Sequence, residues 1–276
     1  MKITNIPLVK GAYYQEAHPK DTIFLHHTCG HSNPEWTIKS WGREKSDSTN
    51  KIRNGAAFVI GSKDPISKDK SMDGVICEAF NPDFWAHHLY IKTKTNTFLN
   101  QKSIAIKLNN YGELINTEYG EFYTKSGILI EEKDVIELPD KFRGERFFHT
   151  YSDKQLESLG KLLKHLAIAY DIDLSRGLKR EIIKSKKIMP LNDSIKNNKR
   201  FLNANGFIDD NGKKLIENNI IDQKYTQALT SLDKSPFEIQ SNALHGYPGL
   251  WSHSNVRTDQ KDVYPHPSLI SLIESL

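Results

Sequence analysis

The hardest constraint on this fold is the way apolar residues fall into short runs. Thr22-Ile23-Phe24-Leu25-His26 follows a Pro19-Lys20-Asp21 turn, and residues 56–61 (AAFVIG), 74–80 and 103–108 (SIAIKL) repeat the type. Each run is five to seven residues long, and the last is stopped by Asn109-Asn110-Tyr111-Gly112. Runs this short match buried strands, so four of them predict one central sheet.

The clearest helix signal covers 153–170. Ser152 with Gln155 reads as a capping box, and Leu156, Leu159, Leu162, Leu163, Leu166 and Tyr170 fall on one face, while Lys154, Lys161 and Lys164 stay in water. Strands followed by a long amphipathic helix predict an α/β fold, a central mixed β-sheet flanked by helices. Residues 173–243 change character, being rich in Lys, Asn and Ile. They read as a helical insertion, with helices around 193–204 and 213–231 broken by Gly206 and Gly212. The whole of 1–276 is then a single domain carrying that insertion.

Hydrophobic residues at 37% and charged residues at 26% supply a core and exclude a disordered or fibrous chain. The net charge of +4 is mild and its lysines are interspersed with carboxylates, which gives no indication of nucleic acid binding; a basic surface suits anionic cell-wall polymers. Cys29 and Cys77 are too few for a disulfide framework and read as reduced thiols. The N-terminal residues lack a Sec signal pattern, and no apolar stretch of about 18 residues predicts a membrane span. The expectation is a protein that is cytoplasmic at synthesis and reaches a wall by release or delivery. The sequence leaves its oligomeric state open.

Two clusters carry metal chemistry. His26-His27 ends the first strand, and His253 lies near the C-terminus with Asp259 and Asp262 after it. A catalytic zinc takes three N or O ligands and keeps a fourth position for water. A strand end gives one ligand a rigid base, and a later loop can return a second histidine and a carboxylate to it. The same residues also fit a hydrogen-bonded strand-end histidine and a polar Asx loop.

The ordered motifs LHHT, SIAIKLNNYG, YSDKQLESLGKLLKHL and WSHSNVR…D…YPHP resemble the N-acetylmuramoyl-L-alanine amidase family related to peptidoglycan recognition proteins. Within it they resemble the large bacterial and phage branch with IxLHHT, TAFVIG, WAxHLG and THNSVRxDxxD. The resemblance runs from about residue 10 to 276 and thins between 173 and 243. It implies an amidase-like fold, Zn2+ as cofactor, peptidoglycan or muropeptide as partner, and hydrolysis of the muramoyl-L-alanine amide. It implies His26, His253 and Asp262 as ligands, Asp259 being placed too early.

The chain departs from the family pattern at two positions. Lys107 stands where the proton-handling Glu is expected, and Gln260, with Lys261 next to it, where the oxyanion-steadying Lys is expected. These three are the candidate catalytic residues, Lys261 aimed at the oxyanion, Gln260 donating a neutral hydrogen bond and Lys107 supplying positive charge. The departure leaves open an active amidase, a muropeptide-binding protein without turnover, and a zinc hydrolase for another amide. Trp85 and His88, in a stretch like WAxHL, are expected to border the groove. Asn109 and Tyr111 are expected on its floor, and Arg257 on a stem-peptide carboxylate. Arg143 matches an RG element of the branch, with no role derived from sequence.

Overall fold

In the computed structural model, which describes residues 1–43, 53–186 and 235–276, the apolar runs pair as strands. The strands are β1 (Ile3–Asn5), β2 (Thr22–His27), β3 (Phe58–Ile60), β4 (Ile76–Glu78), β5 (Ser103–Leu108), β6 (Ile115–Asn116), β7 (Phe122–Tyr123), β8 (Leu129–Ile130), β9 (Val135–Phe142), β10 (Glu145–His149) and β11 (Gly249–Ser252). Six of them form the central sheet in the order β1-β4-β3-β5-β2-β11. Every pair is parallel except β3 with β4, so the sheet is mixed. All six residues of β2 are buried, as expected for an inner parallel strand covered on both faces. β6–β8 form a three-stranded sheet and β9 with β10 a hairpin; the sequence reading contained neither.

The helices among the described residues with complete bounds are α1 (Pro34–Arg43), α2 (Asn96–Lys102), α3 (Asp153–Tyr170), α4 (Ser241–Leu244) and α5 (Pro267–Ser275). α3 spans the predicted range. It touches β3 and α5, α1 touches β3 and β4, and α2 touches β5. Ser152 caps α3 by accepting from the Gln155 backbone N–H at 3.1 Å. The Gln155 side chain does not complete the box. It is fully buried and donates instead to the carbonyls of Ile60, Gly61 and Asn109, tying the helix to the sheet ends. Tyr170 is only half-buried, its hydroxyl donating to Asp83.

Successive strand residues point to opposite faces. Phe24 therefore turns into a cluster with Leu89, Ile91, Leu99, Ala243, Trp251 and Val256, and His26 follows on the same face. His27 faces the other way, toward Tyr151 and Tyr264.

The chain forms two compact units, one of Met1–Lys179 with Phe237–Leu276, the other of Arg180–Pro236. The features above belong to the first. In the second, residues 180–186 are helical, and the helices expected at 193–204 and 213–231 lie outside the described residues. No helix among the described residues is long and apolar enough to cross a membrane.

Candidate metal centre

Strand register builds this site. β11 runs parallel to β2 with Ser252 opposite Leu25, so the next residue, His253, arrives beside His26. Their ring centroids are 4.4 Å apart. A 3-10 turn, His253–Asn255, then reverses the chain. Asn255 Oδ1 holds that turn by accepting from the Ser252 N–H and hydroxyl. The loop returns Asp262, whose carbonyl accepts from the Ser254 N–H at 2.8 Å.

Arg143 fastens the loop. Its guanidinium donates to the carbonyls of Ser254, Arg257 and Gln260 and pairs with Glu238. Sequence gave no hint of this, because the acceptors are backbone atoms more than a hundred residues away. Arg143→Ala is expected to cost about 1–3 kcal/mol in denaturant unfolding, the range for leaving carbonyl acceptors without their donor, the ion pair adding little with Glu238 34% exposed. Arg143→Lys should not restore it, since one ammonium cannot replace a planar fork. Wild-type stability in the alanine variant would refute the clamp.

The donor atoms of His26, His253 and Asp262 lie within 4.8 Å of one another, and all three residues are buried. Their proton inventory follows from the partners. The Ser103 hydroxyl gives its proton to the Leu99 carbonyl at 2.6 Å. Ser103 Oγ must therefore accept from His88 Nε2–H at 2.9 Å. His88 Nδ1 is then bare and accepts from His26 Nε2–H at 3.0 Å. That leaves His26 Nδ1 as a lone pair 3.3 Å from Asp262 Oδ2. His253 Nε2 donates to the Leu89 carbonyl at 2.9 Å, which turns its Nδ1 toward both Asp262 oxygens, 3.0 Å away.

Two imidazole Nδ1 atoms thus converge on one buried carboxylate. Burial, followed by the neighbouring His253, lowers His26 to about 3, so a proton does not bridge it to the acid near neutral pH. Burial also pushes the Asp262 carboxyl up, but His253 and His26 more than reverse this and hold it well below the usual range. A dication would be met by all three donors at once. Ligands about 2.0–2.1 Å from a tetrahedral zinc lie roughly 3.3 Å apart, close to the separations here. The donor set fits zinc.

His88 is thus a support for His26, with its own remaining nitrogen fixed by Ser103. It is buried and offers no face to a substrate, contrary to the expectation. Partners of this kind orient a ligand and raise its basicity. His88→Ala should weaken zinc retention in a chelator competition by about 10–100-fold. His88→Gln, able to accept from His26 and donate to Ser103, should recover part of the loss. Equal retention in all three proteins would refute the support.

The other expected residues are dispersed. Lys107 is the cross-strand partner of His26, half-buried, with its ammonium 5.6 Å from the centroid of the Trp41 ring. Burial lowers its pKa and Asp262 partly restores it. Lys261 is not aimed at the centre: it pairs with Glu145 at 2.7 Å and Glu113 at 3.3 Å. Gln260 lends its carbonyl to Arg143.

Trp85 is buried against Tyr14, ring centroids 3.8 Å apart, and has no open face for a sugar. Asn109 is fully buried and accepts from Thr37, and Tyr111 is buried in a cluster with Leu114 and Ile130, so neither floors a groove. Arg257 makes a two-pronged pair with Asp259. Both, with Tyr90 and Val256, line a groove of about 440 Å³ beside the ligand loop.

No protein-family model and no curated protein sequence matches the chain. Similar solved structures include PlyL, at 15% identity over 63% of this chain and 78% of that one, with a TM-score of 0.37. Another is the N-acetylmuramyl-L-alanine amidase AmiD from E. coli in complex with anhydro-N-acetylmuramic acid-L-Ala-D-γ-Glu-L-Lys, at 17% identity over 58% and 48%, TM-score 0.34. A third is the N-acetylmuramoyl-L-alanine amidase LysC from Clostridium intestinale, at 15% identity over 62% and 78%, TM-score 0.34. Two of these three similar structures are N-acetylmuramoyl-L-alanine amidases.

Proposed function

We propose that this chain is a zinc-dependent amidase that hydrolyses the N-acetylmuramoyl-L-alanine bond of peptidoglycan. The observation that carries the proposal is the convergence of the His26 and His253 Nδ1 atoms, each with its Nε2 turned to another acceptor, on the buried Asp262 carboxylate. The ordered motifs from LHHT to the C-terminal HSNVR supply the substrate class by resemblance.

His26, His253 and Asp262 hold the ion. Bound zinc supplies Lewis-acid polarisation of an amide carbonyl and a water acidic enough to attack it. The remaining work falls to the chain. His88 and the Leu89 carbonyl keep both imidazoles in the ligating tautomer. Lys107, on the His26 face of the sheet and partly withdrawn from water, supplies positive charge where the oxyanion develops. The groove beside Tyr90 and Arg257 receives the stem peptide, and wall reached by release or delivery is the place of action.

The second reading is a muropeptide-binding protein without turnover. The engagement of Lys261 with Glu113 and Glu145 favours it, since that removes the second cation from the site. The two separate in one experiment. Zinc-loaded protein is incubated with muropeptides and the mixture analysed by mass spectrometry. Muramic acid products and stem peptides with a free L-alanine amine, lost on chelation and restored by zinc, are expected. Binding without product at long incubation would establish the second reading. In an active enzyme Lys107→Met should lower kcat by about 10²–10³-fold, the cost of one oxyanion donor. If Lys107→Glu instead raises the rate, Lys107 is a lesion rather than a working group.

A further inference from the structure

On the opposite face of β2 from His26 lies a second set of donors that the amidase proposal does not use. His27, Cys29 and Glu113 each present a ligand atom within 4.8 Å of the others. His27 is 4% exposed, and its Nε2 has no hydrogen-bond partner among the described residues. Its Nδ1 is 3.3 Å from the Tyr151 hydroxyl. With Nδ1–H donating to that oxygen, Nε2 carries a lone pair toward the cluster. An unpartnered buried ring nitrogen costs free energy unless something meets it.

Gly112 keeps the intervening space open. A Cβ there would stand 2.9 Å from His27 Nε2 and 3.3 Å from Cys29 Sγ, so both atoms look into the volume that this side chain would occupy. Glu113 meets Lys125 and Lys261 through Oε1, and these cations hold it as a carboxylate. Cys29 is exposed as a residue, but burial of its thiol, followed by the Asp262 and Glu113 carboxylates, pushes it up to about 12, so an ion must displace that proton. One imidazole, one thiol and one carboxylate are a donor set for a soft or borderline dication rather than for calcium or magnesium.

We propose that His27, Cys29 and Glu113 form a second cation site, selective for thiophilic divalent ions such as zinc or cadmium. Binding forms the sulfur–metal bond and releases the Cys29 thiol proton to water, while the imidazole and carboxylate bind without losing a proton. The site stands independently of the amidase proposal, because it shares no ligand with the His26 centre.

Cobalt(II) distinguishes the two. The His26 centre contains no sulfur, so a near-ultraviolet sulfur-to-cobalt charge-transfer band reports the second site alone. Metal-stripped full-length protein is titrated with cobalt(II), with binding stoichiometry and absorption followed together. Wild type is expected to take up two equivalents and show the band. Cys29→Ser should lose the band and one equivalent, whereas His253→Ala should lose one equivalent and keep the band. Cys77→Ser, altering the other thiol, should behave as wild type. Because retention of the remaining equivalent shows that Cys29→Ser has folded, the loss cannot be ascribed to unfolding. A single equivalent with a band that Cys29→Ser removes would support this site and count against the His26 centre. No band in wild type, or a band that survives Cys29→Ser, would overturn the proposal.

Discussion

His253→Ala should emerge from purification without zinc at the His26 centre and should hydrolyse muropeptides at least about a thousandfold more slowly than wild type. The size follows from what the ion does: without it, attacking water is some eight pKa units less acidic and the carbonyl loses its Lewis acid. Two donors remain, but they include an Asp262 carboxylate that is 5% exposed and stripped of its nearest imidazole. Leaving such a charge uncompensated costs about 3–5 kcal/mol, so the variant should also melt earlier. Metal content by mass spectrometry, product formation and a thermal scan on the same sample read all three effects. Asp262→Asn, which keeps the shape and removes the charge, should lose metal with less damage to stability. A His253→Ala protein that cleaves as fast as wild type would eliminate the zinc mechanism.

The second large effect is on stability in acid, and it does not depend on the metal. Burial lowers the His149 and His266 imidazoles from 6.5 to about 4. The causes are legible in the packing. His149 is 5% exposed with a Tyr111 ring edge against it. His266 caps α5, its Nδ1 accepting the Ser268 N–H at 3.1 Å, which a protonated ring cannot do. As the pH falls the unfolded chain takes up these protons first, so their contribution is complete above 6.5 and disappears toward 4. At about pH 4.5 each histidine will have cost roughly 2–3 kcal/mol of the stability present at neutral pH. Urea titrations of metal-free protein between pH 7.5 and 4.5 should show the midpoint falling steeply below 6.5. His266→Asn keeps an N-cap that does not titrate, and should remove the His266 share of the fall, leaving that of His149 and of the other buried imidazoles, His26 among them. A midpoint that does not move over that range would contradict the burial of both rings.

The parts of this fold that were legible in sequence are those fixed by local pattern. β2, β5 and α3 occupy the positions their apolar periodicity indicates, because each buries a full face and the side chains must repeat accordingly. β11 escaped notice: four residues opening on a glycine carry too little pattern, yet this strand delivers His253. The ligand trio came from resemblance, since spacing alone leaves Asp259 and Asp262 equally open, and only the folded loop brings Asp262 to both imidazoles. Roles assigned to side chains in the groove failed where the partner was distant. Nothing local to Trp85 announces that Tyr14 covers its ring, and nothing local to His88 announces a bond to a residue 62 positions earlier. Long-range hydrogen bonding decides such roles, and it leaves no periodic trace in the chain.

Because His253 reaches His26 only through the pairing of β11 with β2, the sheet's alignment is a component of the chemistry. A slip of one residue between these strands would set Ser252 or Ser254 beside His26 and turn the imidazole to the far side. Leu250 and Trp251, buried and paired with Ile23 and Phe24, hold that alignment. Substitutions there should silence the protein while every ligand remains in its sequence, so loss of function in this chain can originate deep in its hydrophobic interior.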